Sequence, residues 1–129
     1  MQNPDSLWVF IRDGKFVGCA AMLMLNRNGL DALIADNIDI RDPDPSLLTA
    51  AGAPPAAIYI WALASLRYTA DGIAKVIERL QMPPFGHSNI YARPATREGL
   101  RFLRALCFEP IAEHHNLFRY ERLANRDVQ

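Results

Sequence analysis

The 129-residue chain has no excess charge of either sign, few cysteines and no long apolar run. Its 14 Lys and Arg residues balance its 14 Asp and Glu residues, so no global field attracts nucleic acid or an anionic membrane. Two cysteines, Cys19 and Cys107, are too few for a disulfide framework, and both lie in apolar runs where free, buried thiols are expected. No apolar stretch approaches the roughly 18 residues that span a bilayer.

The remaining composition is that of an ordinary globular protein. Half of the residues are apolar and 22% are charged, and the length suits a single domain over residues 1–129. The first residues lack the basic and apolar regions of a signal peptide. We therefore expect one cytoplasmic domain that binds neither nucleic acid nor a membrane.

The N-terminal half begins with a predicted hairpin. Strand-like runs at 7–12 and 16–25 flank Asp13-Gly14-Lys15, and the turn-forming segment 26–29 closes the pair. Residues 30–56 are rich in aspartate and proline; the isoleucines at 34, 38 and 40 suggest a short strand, and 46–52 suggests one helical turn or a loop.

The C-terminal half predicts alternating strands and helices. Residues 57–64 are apolar on both faces, as in a central strand, with Tyr59 and Trp61 expected in the core on one face. A helix at 73–80, a strand at 89–92, a helix at 96–106 and strands at 111–112 and 116–123 follow. The predicted fold is α/β: a mixed, mostly antiparallel sheet with a central parallel β-α-β unit and helices packed on it.

The junction at residues 64–73 carries the clearest chemical signal. A strand ends, small residues follow and a helix begins, so unpaired N–H groups and the helix dipole together favour an anion such as pyrophosphate. Arg67 and the Thr69 hydroxyl would add contacts. The alternative is an ordinary strand-to-helix turn in which Gly72 serves geometry alone.

Several segments together resemble the GNAT superfamily of acyl-CoA-dependent N-acyltransferases. Arg67-Tyr68-Thr69-Ala70-Asp71-Gly72 is similar to that family's (Arg/Gln)-x-x-Gly-x-(Gly/Ala) pyrophosphate loop. Residues 95–111 resemble its next helix and the Gly-Phe-x-x-(Val/Ile) ending, and the opening hairpin resembles its second and third strands. The resemblance covers most of residues 7–123.

This resemblance implies a mechanism and a set of binding residues. An amine would attack the thioester of acetyl-CoA or another acyl-CoA directly, a backbone N–H would stabilise the oxyanion, and no covalent enzyme intermediate would form. The strand at 58–64 would splay from that at 89–92, freeing backbone groups near Leu63 and Ala64 for the pantetheine. The implied pyrophosphate-binding residues are Arg67 and the backbone of Tyr68, Thr69, Ala70, Asp71, Gly72 and Ile73.

The chain also departs from the family pattern. Ala70 and Cys107 stand where glycines are usual, and Leu103 aligns with the tyrosine that often protonates the departing thiolate, so no catalytic residue is assigned. The usual first strand and first two helices are missing, which removes part of the acceptor side. The alternative is therefore a non-catalytic GNAT-like domain that binds a protein partner, with or without CoA.

Other candidate features support narrower expectations. Because neighbours on a strand point to opposite faces, Glu113-His114-His115 predicts no metal site. Arg93 and Arg97 are candidates for the 3′-phosphate of CoA, whereas a solvated helix face is favoured for Arg101 and Arg104. The shortened sheet leaves an edge and apolar surface, so we expect a homodimer. The acceptor, a small amine or a peptide, cannot be chosen from the sequence.

Overall fold

The computed structural model describes residues 6–65, 70–94, 97–111 and 116–121. These residues contain six strands in one sheet, in the order β1-β2-β3-β4-β6-β5. The strands are β1 (Leu7–Arg12), β2 (Lys15–Leu25), β3 (Ala57–Ser65), β4 (Asn89–Ala92), β5 (Glu109–Pro110) and β6 (Phe118–Tyr120). The helices are α1 (Arg27–Ile34), α2 (Ala70–Leu80) and α3 (Arg97–Ala105), with a 3₁₀ turn at Pro45–Leu47.

The sheet is mixed, as predicted. β3 and β4 are parallel and are joined through α2, whereas every other pair of neighbouring strands is antiparallel. The α/β class, the mostly antiparallel sheet and the central β-α-β unit are confirmed. Within the described ranges, no helix is long and apolar enough to cross a membrane.

The opening hairpin is confirmed. Arg12 is paired with Lys15, and the intervening Asp13 and Gly14 have φ of 54° and 76°. Positive φ at both turn residues is the geometry of a type I′ turn, whose twist matches that of the adjoining strands.

The predicted turn at residues 26–29 is wrong, because Asn26 is the N-cap of α1. Its Oδ1 accepts a hydrogen bond from the Gly29 N–H at 2.8 Å, and its Nδ2 donates to the Ser46 carbonyl at 2.7 Å. Asparagine followed three residues later by glycine suits a turn and a helix start alike, and the buried Leu30 and Leu33 favour the helix.

The predicted strand through Ile34, Ile38 and Ile40 is also wrong. Ile34 ends α1, and the other two isoleucines lie in irregular backbone while packing against the core beneath it. Residues 46–52 contain the end of the 3₁₀ turn, and Leu48 forms an isolated bridge with Leu25 of β2.

The predicted ends of the C-terminal elements require smaller corrections. α2 begins at Ala70 rather than 73, and α3 covers 97–105 within the predicted 96–106. The strand expected at 111–112 lies at Glu109–Pro110, and the last strand is limited to Phe118–Tyr120 among the described residues.

Both faces of the sheet carry a core. The first core lies beneath α2 and α3 and includes Met22, Ile58, Val76, Leu80 and Leu103. The second core lies on the opposite face, beneath α1, and includes Leu25, Leu30, Leu33, Tyr59 and Tyr91. Burial on both faces explains why β3 is a nearly continuous apolar run.

Candidate functional site

The candidate site is the edge of β3 that faces β4. The parallel ladder runs from Ala57 paired with Asn89 to Ile60 paired with Ala92, where β4 ends. β3 continues to Ser65 and keeps its partners on β2. Within the described residues, no strand pairs with the β4-facing edge of residues 61–65. Backbone groups along such an edge are available to an extended ligand.

A β-bulge lies next to the end of the β3–β4 ladder. Met22 of β2 is paired with Ile60 and Ala21 with Ala62, so the register skips Trp61. An extra residue of this kind bends its strand and increases the local twist. The bulge therefore bends β3 immediately after its last residue paired with β4.

Leu63 and Ala64 both lie on this open segment. Across β2 they are paired with Ala20 and Cys19, so one edge of each residue is already used within the sheet. Their other edge faces the side on which β4 ends at Ala92. Both residues predicted to hold the pantetheine thus lie beyond the last residue of β3 that is paired with β4.

The remaining predicted binding residues divide between a helix and an undescribed segment. Ala70, Asp71, Gly72 and Ile73 form the first turn of α2, which begins five residues after β3 ends. The first four N–H groups of a helix have no partner within it and carry partial positive charge. Arg67, Tyr68 and Thr69 lie outside the described residues.

Ala70 lies inside α2, which bears on whether alanine is strained at this position. In the sequence, a residue replacing a usual glycine suggested backbone strain. A residue inside an α-helix has negative φ, which alanine adopts without cost, and alanine is the best helix former. Ala70 therefore introduces no backbone strain in this conformation.

A polar cluster of Tyr59, Arg93 and Asp36 lies beside the end of the β3–β4 ladder. Burial raises the pKa of the Tyr59 hydroxyl above its usual value, and the nearby Arg93 partly opposes that shift through its charge and a hydrogen bond. Arg93 Nη1 also donates to Asp36 Oδ1 at 3.0 Å. Arg93, a candidate for the 3′-phosphate, thus already has an internal acidic partner, and Arg97 is exposed on α3.

The expectation for the two β3 aromatic residues holds for one of them. Tyr59 is 2% exposed and belongs to the second core, whereas Trp61 is 45% exposed. The bulge at Trp61 lies beyond the part of the sheet that α1 covers. The sequence contains no signal for this difference, because a bulge is a property of the strand pairing.

Leu103 and Cys107 have structural roles at the end of α3. Leu103 is buried in the first core, so the position aligned with the family's tyrosine presents an apolar side chain. Cys107 has φ of 68°, and its N–H donates to the Arg104 carbonyl while the Phe108 N–H donates to Leu103. These bonds form a Schellman motif, whose left-handed residue is usually glycine.

The expectation of two buried thiols is wrong for Cys107. Both cysteines are free, but Cys107 is exposed and Cys19 is half-buried. The left-handed turn directs the chain so that the next residue, Phe108, enters the first core instead. Cys107 therefore caps the helix at the surface.

The described residues contain no group of three or more His, Cys, Asp or Glu side chains able to hold a metal ion. The sequence segment considered for such a site, Glu113-His114-His115, lies outside them.

Comparison of the chain with family models, curated proteins and solved structures finds no match in any of the three.

Proposed function

We propose that this chain is an acyltransferase of the GNAT type that transfers an acyl group, acetyl in the simplest case, from acyl-CoA to an amine. The observation that carries the proposal is the edge of β3 beyond Ile60, which no described strand pairs with on the β4 side, followed closely by the N-terminus of α2. A strand edge and a helix N-terminus in succession suit a ligand with amide groups at one end and a pyrophosphate at the other.

The open segment has the length that such a ligand needs. Residues 61–65 extend about 16 Å at the rise of a strand, enough for the two amides of a pantetheine arm to pair along it. Pairing of this kind is strand addition, in which backbone hydrogen bonds supply the affinity. The pyrophosphate would then meet the N–H groups of Ala70 to Ile73.

The transfer itself requires little from side chains. The amine lone pair attacks the thioester carbonyl carbon, the carbon–sulfur bond breaks, and the amine proton is lost as the thiolate leaves. A backbone N–H of the open segment would stabilise the oxyanion, and alignment of the two reactants would supply most of the rate. No general acid is assigned, because Leu103 is apolar and buried.

The buried Leu103 also supports a second candidate function. A domain that lacks the usual proton donor could retain CoA binding and have lost transfer. In that role the chain would be a non-catalytic GNAT-like domain that binds CoA as a ligand and assembles with a protein partner.

Calorimetric titration with acetyl-CoA tests the shared premise of both functions. Gly72→Asp places a negative charge in the first turn of α2, where the helix dipole favours folding but the charge repels pyrophosphate. Gln81→Asp is the matched control, because it adds the same charge at an exposed position beyond the other end of α2. We expect micromolar binding that Gly72→Asp abolishes and Gln81→Asp preserves.

The outcome of this titration separates the possibilities. Absence of binding at millimolar acetyl-CoA, or equal binding by all three proteins, would contradict the site. Where binding is specific, thiol release in the presence of a panel of amines distinguishes transfer from ligand binding alone.

A further inference from the structure

Most of the exposed large apolar side chains lie on one face of the sheet. Outside this group, Met82 is the one other such residue among those whose side-chain exposure the structure describes. The group has exposed fractions from 45% for Trp61 to 67% for Ile11. We name it the open apolar face; its members are Leu7, Val9, Ile11, Phe16 and Trp61.

Strand alternation and register place these residues together. Trp8 and Phe10 pack toward the first core, so Leu7, Val9 and Ile11 point to the opposite face of β1. Phe16 is paired with Ile11 across the hairpin and shares that face.

Trp61 extends the same face onto β3. The bulge interrupts alternation at this point, so Trp61 is assigned to this face by its exposure and by Ala62, the next residue, which is paired with Ala21 on this side of the sheet. The second core beneath α1 occupies this side of the sheet around Leu25 and Tyr59, but includes no member of the open apolar face. One end of this side is thus covered by α1, and the other end is apolar and exposed.

The size of the open apolar face fits an interface. At the observed exposures, its five side chains present roughly 600 Å² of apolar surface, the upper end of what monomers leave uncovered. Two such faces packed together would bury about 1,200 Å², which reaches the range of specific protein interfaces. In a monomer, the apolar surface of this face would stay exposed to water.

The charge of the chain favours a second copy over a charged partner. None of the five side chains carries charge, and the whole chain has a formal net charge of zero. Two copies can therefore approach without net repulsion, and a two-fold axis lets one self-complementary patch cover both partners and close the assembly. We propose that the open apolar face binds the same face of a second copy of this chain. This inference does not depend on the proposed acyl transfer.

A cysteine on this face provides a built-in reporter. Cys19 is paired with Val9, so its side chain lies on the same side of the sheet within the proposed interface. Cys107 ends α3, which packs on the first core on the opposite side. Dimerisation as proposed protects Cys19 from alkylation and leaves Cys107 reactive.

Sedimentation equilibrium and cysteine alkylation test the interface together. From low to high micromolar protein, we expect the mass to rise toward twice 14.5 kDa. The alkylation rate of Cys19 relative to Cys107 should fall about tenfold as the dimer forms. Because both thiols are in one molecule, this ratio needs no variant and corrects for reagent and pH.

Three substitutions assign the dimer to this face. Val9→Lys and Ile11→Lys each place a charge where the interface would bury it, and should raise the dissociation constant about 100-fold or more. Met82→Lys makes the same chemical change at the exposed apolar position outside the face and should leave dimerisation unchanged. Circular dichroism of each variant confirms folding, and the use of two separate positions guards against one that fails to fold.

Each alternative occupant gives a different result. A wild-type protein that stays monomeric at high micromolar concentration, with Cys19 as reactive as at low concentration, overturns the proposal. Binding of that monomer to vesicles of phosphatidylcholine and phosphatidylglycerol would assign the face to a lipid surface instead. A dimer that survives both Val9→Lys and Ile11→Lys would place the interface elsewhere, and would equally refute the inference.

Discussion

Replacement of Cys107 by glycine should stabilise the protein, even though it removes a side chain. With φ of 68°, Cys107 lies in the left-handed region at the end of α3 and is exposed, so its thiol contributes little packing. A residue with a β-carbon costs about 1–2 kcal/mol in that conformation. The greater conformational freedom of glycine in the unfolded chain offsets about 0.5–1 kcal/mol of this stabilisation. The expected gain in the free energy of unfolding is therefore about 0.5–1 kcal/mol.

Cys107→Ala is the matched control for this prediction. Both variants remove the thiol and any oxidation of it, but only glycine removes the β-carbon that the left-handed backbone disfavours. Thermal and urea unfolding under reducing conditions should show Cys107→Gly melting about 2–4 °C above Cys107→Ala. If the two variants unfold together, or the glycine variant is the weaker, then positive φ at Cys107 is not a source of strain and the Schellman assignment fails.

Three further predictions concern the packing and titration of buried groups elsewhere in the fold. Gly29→Ala should lower the free energy of unfolding by about 2 kcal/mol, because the new β-carbon would overlap the Leu47 carbonyl oxygen. This loss is expected despite the better helix propensity of alanine. The control Asn28→Ala, at the exposed neighbouring position, should not destabilise the protein. Ser88→Ala should lower the free energy of unfolding by about 1–2 kcal/mol, because the buried Ser88 hydroxyl donates to the Pro55 carbonyl at 2.6 Å. Burial raises the pKa of the Tyr59 hydroxyl, so above pH 10 the unfolded chain loses this proton before the folded protein does. The free energy of unfolding therefore falls as the pH rises. Denaturant titrations should show a smaller fall at alkaline pH for Tyr59→Phe.

The regular elements of this fold were predictable because local chemistry determines them. Asp13 and Gly14 adopt the turn that their residue types favour, and the unbroken apolar run of β3 matches burial on both of its faces. The order of strands and helices around α2 then requires a parallel pair joined by a crossover.

The errors arose where distant parts of the chain decide the structure. Asn26 suited a turn or a helix cap equally, and its bond to the Ser46 carbonyl, twenty residues away, accompanies the cap. α2 begins earlier than predicted because Ala70 and Asp71 are compatible with a first helical turn, although Gly72 nearby suggested a loop. Neither distinction is visible in the local residue pattern.

The candidate site was predictable only in part. The resemblance implied that β3 would splay from β4; the ladder ends at Ile60 together with β4 itself, so the splaying stays a prediction. The bulge at Trp61 depends on the register with β2, and the contact between Asp36 and Arg93 joins residues 57 positions apart. No spacing rule in a single sequence links such groups.

The most direct test of the central claim is an amide-resolved NMR titration of the isotope-labelled protein with CoA. If the open edge of β3 and the first turn of α2 bind the cofactor, the amides of residues 61–65 and 70–73 should shift and become protected from exchange. Amides of α1, which follows β2 at the end of the sheet opposite to residues 61–65, should stay unchanged. Saturating CoA that leaves residues 61–65 and 70–73 unperturbed, or that shifts only other regions, would contradict the account.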